Sequence, residues 1–308
     1  MTLPSEYLRY PYRRPGMDHA RYDWSILFRR PRLEWPGGAR VALWVVPSIE
    51  WFPLDMPGTP FRPPGGLDRP YPDYWNYTLR DYGSRVGIFR VMKVLDEFGV
   101  KATAAVNAAA CQRYPFVIDE AKNRGWEFIA HGLDMGHLHH SGLSREDEGR
   151  LIHGALETVR RATGQPVRGW LSPANSESLH TPDLVAERGV EYICDWVNDD
   201  LPYPMRVASG TLYSLPYSHE ISDTTIIWQY HHSAAEFALQ VRDQFDLLYR
   251  EAEKYGGRIL SISLHAWIIG QPHRIRALER ALDYVTRRAG VWPATGSEIL
   301  AAFKAQQR

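Results

Sequence analysis

Short apolar runs alternate along this chain with longer amphipathic stretches, and the alternation predicts strands and helices in turn. RVALWVVPSIE, KATAAVN, WEFIAH, RGWLS, VEYICD, TLYSLPY, RILSISLH and VWPAT are runs of β-branched, aromatic or small apolar residues of strand length. Runs without a polar alternation signal strands buried on both faces, as in parallel sheets. Between them, helical patterns run from about Tyr82 to Phe98, near Pro115 to Asn123, from Ser144 to about Thr163, near Thr181 to Glu187, over Ala234 to Tyr255 and from Gln271 to Arg288. SREDE gives the third of these an N-cap serine and early acids. Strands mostly followed by a helix predict an α/β chain, one (β/α) barrel of about seven strands rather than an open dinucleotide-binding sheet.

Two stretches break the rhythm. Residues 1–38 are rich in Tyr, Arg and Pro without periodicity and end in EWPGG. They predict an ordered arm, suited to an oligomer contact, lying over a single barrel domain of residues 39–308. Pro53 to Asp81 is a second irregular segment, far longer than the usual connection of about 4 to 6 residues. Following directly on Glu50, it predicts a lid, a pocket wall or a subunit interface.

Charge narrows the class of ligand. The 36 basic and 36 acidic residues cancel and no dense basic run occurs, so neither nucleic acid nor a membrane surface is expected as a partner, and a small-molecule substrate is. Two cysteines, Cys111 and Cys194, are too few and too far apart for a disulfide framework. With no signal-like stretch near the start and no run of about 18 apolar residues, a cytoplasmic protein is expected. No GxGxxG follows a strand, and GxxxxGK[ST], GxSxG and CxxC do not occur, which removes nicotinamide, nucleotide, serine-esterase and thiol-redox readings.

Four strand-like runs end on a titratable side chain: Glu50, His131, Asp195 and His265. Carboxyl ends of parallel strands carry the chemistry of α/β folds, so these four predict a catalytic pocket. Glu50 is a candidate water-activating base or metal ligand, and the nearby Trp44, Trp51 and Phe52 predict a raised carboxyl pKa. His265 is a candidate general acid needing a carboxylate to fix its tautomer, for which Asp195, Asp199 and Asp200 are available. His131 opens HGLDMGHLHHSGL, which holds four of the twelve histidines. His131 with His137 or His139 is a candidate metal site, set against a metal-free hydrogen-bonded loop, because the spacing fits no structural zinc pattern. Past two further strands, GWLSPANSES and PYSHEISD offer Ser172, Asn175 and Glu220 as substrate-binding groups, with Trp170 and Tyr217 as walls and Trp267 following His265. The same Ser, Pro and Asn also favour plain turns.

WPGGARVALWVVPSIE, RDYGSRVGIFRVMKVLDEFGVKAT, WEFIAHG, TGQPVRGWLSP, DWVNDDLPY and LSISLHAWIIGQPHRIRALER together resemble the polysaccharide deacetylase superfamily. Within it the chain is similar to the branch of the metal-independent allantoinase and the cyclic imide hydrolases, whose own features are DYGSRVG, NDDLPY and LHxxxIGxPxR. The resemblance covers nearly everything after residue 34. It implies a deformed (β/α) barrel, hydrolysis of a carbon–nitrogen amide bond and a homo-oligomer. It also implies Glu50 as the base acid, His131 as the first metal histidine and His265 as the late acid. Typical members carry a metal-binding acid beside the base and a second metal histidine shortly after the first, and here Trp51 and Met135 stand in those places. An indole does not ligate a hard cation and a thioether is a poor zinc ligand. The resemblance therefore leaves two expectations, no required cofactor or a divalent metal such as zinc regained through His137, His139 or His140. Three functions follow for comparison: opening of a small cyclic amide, imide or ureide, metal-dependent N-deacetylation of a carbohydrate, and ligand binding or scaffolding without catalysis. In the first, Glu50 activates water, His265 protonates the leaving nitrogen and donors near Trp170 and Asn175 hold the carbonyl.

Overall fold

A computed structural model describes residues 19–56 and 71–307. One sheet holds β1 (Val41–Ile49), β2 (Thr103–Val106), β3 (Glu127–Ala130), β4 (Gly169–Trp170), β5 (Tyr192–Ile193), β6 (Tyr203–Met205), β7 (Leu212–Ser214), β8 (Arg258–His265) and β9 (Val291–Pro293). The strands lie side by side as β6-β7-β5-β4-β3-β2-β1-β8, with β9 against the start of β1. Only the β6–β7 pair is antiparallel, so seven parallel strands curl from β7 round to β8 as a deformed barrel. The helices are α1 (Tyr74–Tyr82), α2 (Ile88–Glu97), α3 (Ala108–Arg113), α4 (Pro115–Asn123), α5 (Arg145–Thr163), α6 (Thr181–Ala186), α7 (Ala234–Tyr255), α8 (Ile275–Thr286) and α9 (Gly296–Lys304).

β1 is the spine of the molecule. All nine of its residues are buried, and they alternate: Val41, Leu43 and Val45 pack under the helices, while Ala42, Trp44 and Val46 join Ile129, Leu171, Tyr192 and Leu215 in a separate inner core. Two buried faces are why this strand reads as a continuous apolar run. Trp35 and Ile299, Leu300 and Phe303 of α9 fill the inner core at the amino ends of the strands. β7 and β8 form no ladder with each other. Tyr217 donates to Ser263 Oγ at 2.8 Å, and Ser222 makes an isolated bridge to Ser263, so the segment after β7 spans the seam.

Several elements differ from the sequence expectation. The helix expected from Tyr82 starts at Tyr74, because the Asp73 side chain caps it by accepting from the backbone N–H groups of Trp75 and Asn76. The irregular segment is thus shorter than Pro53 to Asp81, and residues 57–70 of it, like residues 1–18 of the arm, lie outside the described residues. α1 continues into α2 through a π-helical turn, Gly83–Gly87, and a second π-helical turn covers Thr224–Gln229. β6, α3 and α9 were not expected. In the described part of the arm, Arg21 pairs with Asp183 at 2.8 Å, and Leu33 and Trp35 are buried.

Candidate active site

Glu50 follows the last residue of β1. Asn107, after β2, accepts from the Trp51 N–H at 2.8 Å through its Oδ1 and donates through Nδ2 to the His131 carbonyl, tying three strand ends together. The Trp51 ring packs edge-on to Tyr77 at 5.4 Å and beneath the Arg113 guanidinium at 3.7 Å. Glu50 meets two imidazoles instead: its Oε1 is 3.4 Å from His131 Nε2 and 3.8 Å from His265 Nε2. His131 Nδ1 donates to the Leu171 carbonyl at 2.8 Å, which orients the ring so that Nε2 faces Glu50.

The carboxylate that orients His265 is Asp223, which sequence reasoning missed. Its Oδ1 is 2.9 Å from His265 Nδ1, and the same buried side chain accepts from the backbone N–H groups of His265 (2.8 and 3.0 Å) and Ile269 (3.3 Å). Asp195, Asp199 and Asp200 do not take this role. Asp195 accepts from the Ser172 N–H and hydroxyl at 2.7 and 2.8 Å, and Asp199 accepts from Arg30 at 2.6 Å. No strand ends at Asp223; it reaches His265 because its neighbour Ser222 bridges to β8 across the seam.

Charge decides the ionisation of the pair. Burial alone lowers the His265 pKa, but Glu50 and then Asp223 outweigh it and raise the value to about 8. Burial alone raises the Glu50 carboxyl, but His265, His131 and Arg80 outweigh it and hold it below the ordinary carboxylate range. The expectation of a raised Glu50 is therefore reversed, because His265, His131 and Arg80 outweigh the burial of the carboxylate.

Arg80 of α1 was also missed. Its guanidinium lies 4.1 Å over the Phe52 ring and 5.5 Å over that of Trp267. Burial lowers its pKa to about 10, against the pull of Glu50. Arg80, Glu50, Phe52 and Trp267 line a cavity of about 10 Å³, room for about one water molecule. Glycines bring α1 and α2 this close: a methyl group on Gly87 would sit 2.0 Å from the Ala266 carbonyl oxygen, and one on Gly83 2.7 Å from the Trp267 nitrogen. DYGSRVG and LHAWIIG are thus two halves of one contact.

The remaining expected residues divide. Trp170 is fully buried in the helix layer, its ring edge-on to His139 at 5.6 Å, and does not line the Glu50 cavity. Ser172 is buried against Asp195. Asn175 sits in a turn where Ala174 and Asn175 take left-handed φ of 54° and 53°, and its Nδ2 is buried with no hydrogen-bond partner. Pro173 of that turn packs on Gly132, beside His131. Glu220 is exposed, accepts from the Tyr230 hydroxyl at 3.4 Å and does not line the Glu50 cavity.

The residues expected to regain a metal are not brought together. Among the described residues no three His, Cys, Asp or Glu side chains converge to hold one. His137 is exposed and bonded to Asp134 at 2.7 Å, while His139 is buried with its Nδ1 3.3 Å from Glu148. Neither joins His131. The Met135 sulfur is 3.8 Å from Asn107 Nδ2, and the Trp51 ring lies in the helix layer.

A deformed parallel barrel thus presents a carboxylate and a carboxylate-backed histidine together at its strand carboxyl ends, an acid–base pair suited to hydrolysis. A sequence model of the polysaccharide deacetylase family matches residues 77–193. A Schizosaccharomyces pombe protein that carries the polysaccharide deacetylase name is 26% identical over 288 residues, 88% of this chain and 87% of its own. The structure of PuuE allantoinase superposes with a TM-score of 0.81 at 26% identity, over 93% of this chain and 99% of that one. A Pseudomonas aeruginosa PAO1 structure, again named for polysaccharide deacetylases, gives 0.80 at 27% identity over 90% and 95%. Residues 77–193 thus carry the polysaccharide deacetylase domain, and over nearly its whole length the chain is similar to proteins named as polysaccharide deacetylases and to an allantoinase, which together support a hydrolase of carbon–nitrogen bonds other than peptide bonds. No helix among the described residues is long and apolar enough to cross a membrane.

Proposed function

We propose that this hydrolase opens a small cyclic amide, imide or ureide, with Glu50 as general base and His265 as general acid and without a resident metal. The observation that carries this reading is the chain Glu50–His265–Asp223, in which an ionised carboxylate stands 3.8 Å from an imidazole backed by a buried acid. Glu50 takes a proton from water as the oxygen attacks the ring carbonyl. The buried Asn175 Nδ2, which has no partner of its own, supplies a donor to the carbonyl oxygen as it gains charge. His265 Nε2 then gives its proton to the nitrogen as the carbon–nitrogen bond breaks, and recovers one from Glu50. Arg80 and Trp267 line the small cavity beside Glu50, which has room for the attacking water. The likeness to a structure named as an allantoinase supports this reading.

Opening a neutral ring to an acid liberates a proton at neutral pH, so proton release from a panel of cyclic ureides, imides and N-acetyl sugars reads the reaction directly. Chelator-treated protein is expected to act on a ring compound, and Glu50→Gln to lose on the order of 10²–10⁴ in kcat while remaining folded. Turnover confined to N-acetyl sugars and dependent on added zinc would sink the proposal, as would an unimpaired Glu50→Gln variant.

A further inference from the structure

Two carboxyls behind the Ser172–Asn175 turn have no part in the chemistry above. Both oxygens of Asp195 accept from Ser172, at 2.7 and 2.8 Å, and Ser172 Oγ in turn accepts from Trp170 Nε1 at 2.8 Å. Glu177 accepts from Trp196 Nε1 at 2.8 Å through Oε2, and its Oε1 is buried with no donor group beside it. What Glu177 does face is the Asp195 carboxyl, within hydrogen-bond reach. Two buried carboxyls in contact do not both ionise, so a proton stays between them. Burial raises both groups, Glu177 the further because Asp195 adds its repulsion.

The charged and titratable surroundings leave that proton in place. Arg21, whose field reaches Glu177, is held by Asp183 at 2.8 and 2.9 Å. His131 acts on Asp195 from the far side, and His19 and His180 line the same cavity as Glu177, of about 950 Å³. Glu148, the buried acid nearby, is bonded to Ser178 and Thr181. Left-handed backbone at two consecutive non-glycine residues persists only where the surroundings over-determine it, and Asp195 grips the residue that starts this turn.

We propose that Glu177 is a positioning residue: one proton shared between its Oε1 and Asp195 fixes the Asp195–Ser172 contacts and, through them, the Ala174–Asn175 turn beside His131. The kinetic consequence rests on the reading of Asn175 as the carbonyl donor.

The experiment compares Glu177→Gln and Glu177→Ala with wild type. In the infrared, the wild-type minus Glu177→Gln difference at neutral pH is expected to show the band of a protonated carboxylic acid. In kinetics, Glu177→Ala is expected to lose about tenfold to a hundredfold in kcat with little change in KM, as a donor misplaced by about 1 Å would cause. Glu177→Gln, whose amide N–H replaces the shared proton without titrating, is expected to recover most of that loss, and its kcat relative to wild type to rise with pH. No acid band in the difference spectrum overturns the inference, and so does a folded Glu177→Gln variant as impaired as Glu177→Ala. The infrared result stands even if wild type opens no ring compound, so failure of the proposed reaction is distinguishable from failure of the shared proton.

Discussion

At His265, two carboxylates stabilise one imidazolium from opposite sides, Asp223 at 2.9 Å from Nδ1 and Glu50 at 3.8 Å from Nε2. The folded value of about 8 lies above the ordinary 6.5, so this contribution to stability is fully present below about pH 6.5 and is lost as pH rises through 8. Glu50 behaves in the opposite sense: its contribution is present above the ordinary carboxylate range and is lost as pH falls through its lowered value. kcat/KM is therefore expected to fall on an alkaline limb near pH 8, and Asp223→Asn to move that limb toward 6.5 and weaken the stability change between those values. A limb that stays near 8 in Asp223→Asn would show that Asp223 does not set the acid. Glu50, His131 and His265 were legible because each directly follows a strand-length apolar run. Asp223 and Arg80 were not, since one lies in a strandless crossing of the seam and the other on a helix whose start was hidden by a Pro-rich stretch. The face on which Trp170 lies was not legible either: β4 has only two residues, too few for an alternation that tells one face from the other.

Besides the Arg80 side chain, helices α1 and α2 act on the site through backbone proximity. The π-helical turn Gly83–Gly87 sets its two glycines against the Ala266–Trp267 backbone, and such turns recur near functional sites. Gly87→Ala is expected to destabilise by about 1–3 kcal/mol, the usual range for overpacking, and to lower kcat because Trp267 moves with the displaced backbone. Gly154→Ala in α5 is the matched control. Its new methyl meets only Leu133 Cδ2 at an ordinary 3.7 Å, so it is expected to stabilise by about 0.5–1 kcal/mol. Thermal unfolding of the two variants checks the opposite signs, and a stabilised Gly87→Ala would refute the close-approach account. Helix and strand types were readable from hydrophobic period, but a π-helical turn has the same apolar spacing as its α-helical neighbours and left no mark in the pattern.

At the scale of the molecule, hydrogen bonds between distant segments join the strand ends that carry the site. Asn107 ties the ends of β1, β2 and β3, Tyr217 and Ser222 tie the β7 side to β8, and Asp223 accepts from one backbone N–H at the end of β8 and one just beyond it. The barrel itself was legible from the alternation of runs, whereas this stitching depends on contacts between distant segments that no local pattern encodes. On the metal-free reading proposed above, the barrel gains nothing from an ion in its folded state. By mass action, an ion bound at a hundred times its dissociation constant would add about 2.7 kcal/mol and raise the unfolding temperature by several degrees. The expected outcome is an unfolding temperature that neither falls in chelator nor rises with added zinc, alongside undiminished turnover. A rise with zinc that is lost in chelator would mean that the His137–His140 segment refolds onto His131, replacing the bonds His137 and His139 make to Asp134 and Glu148.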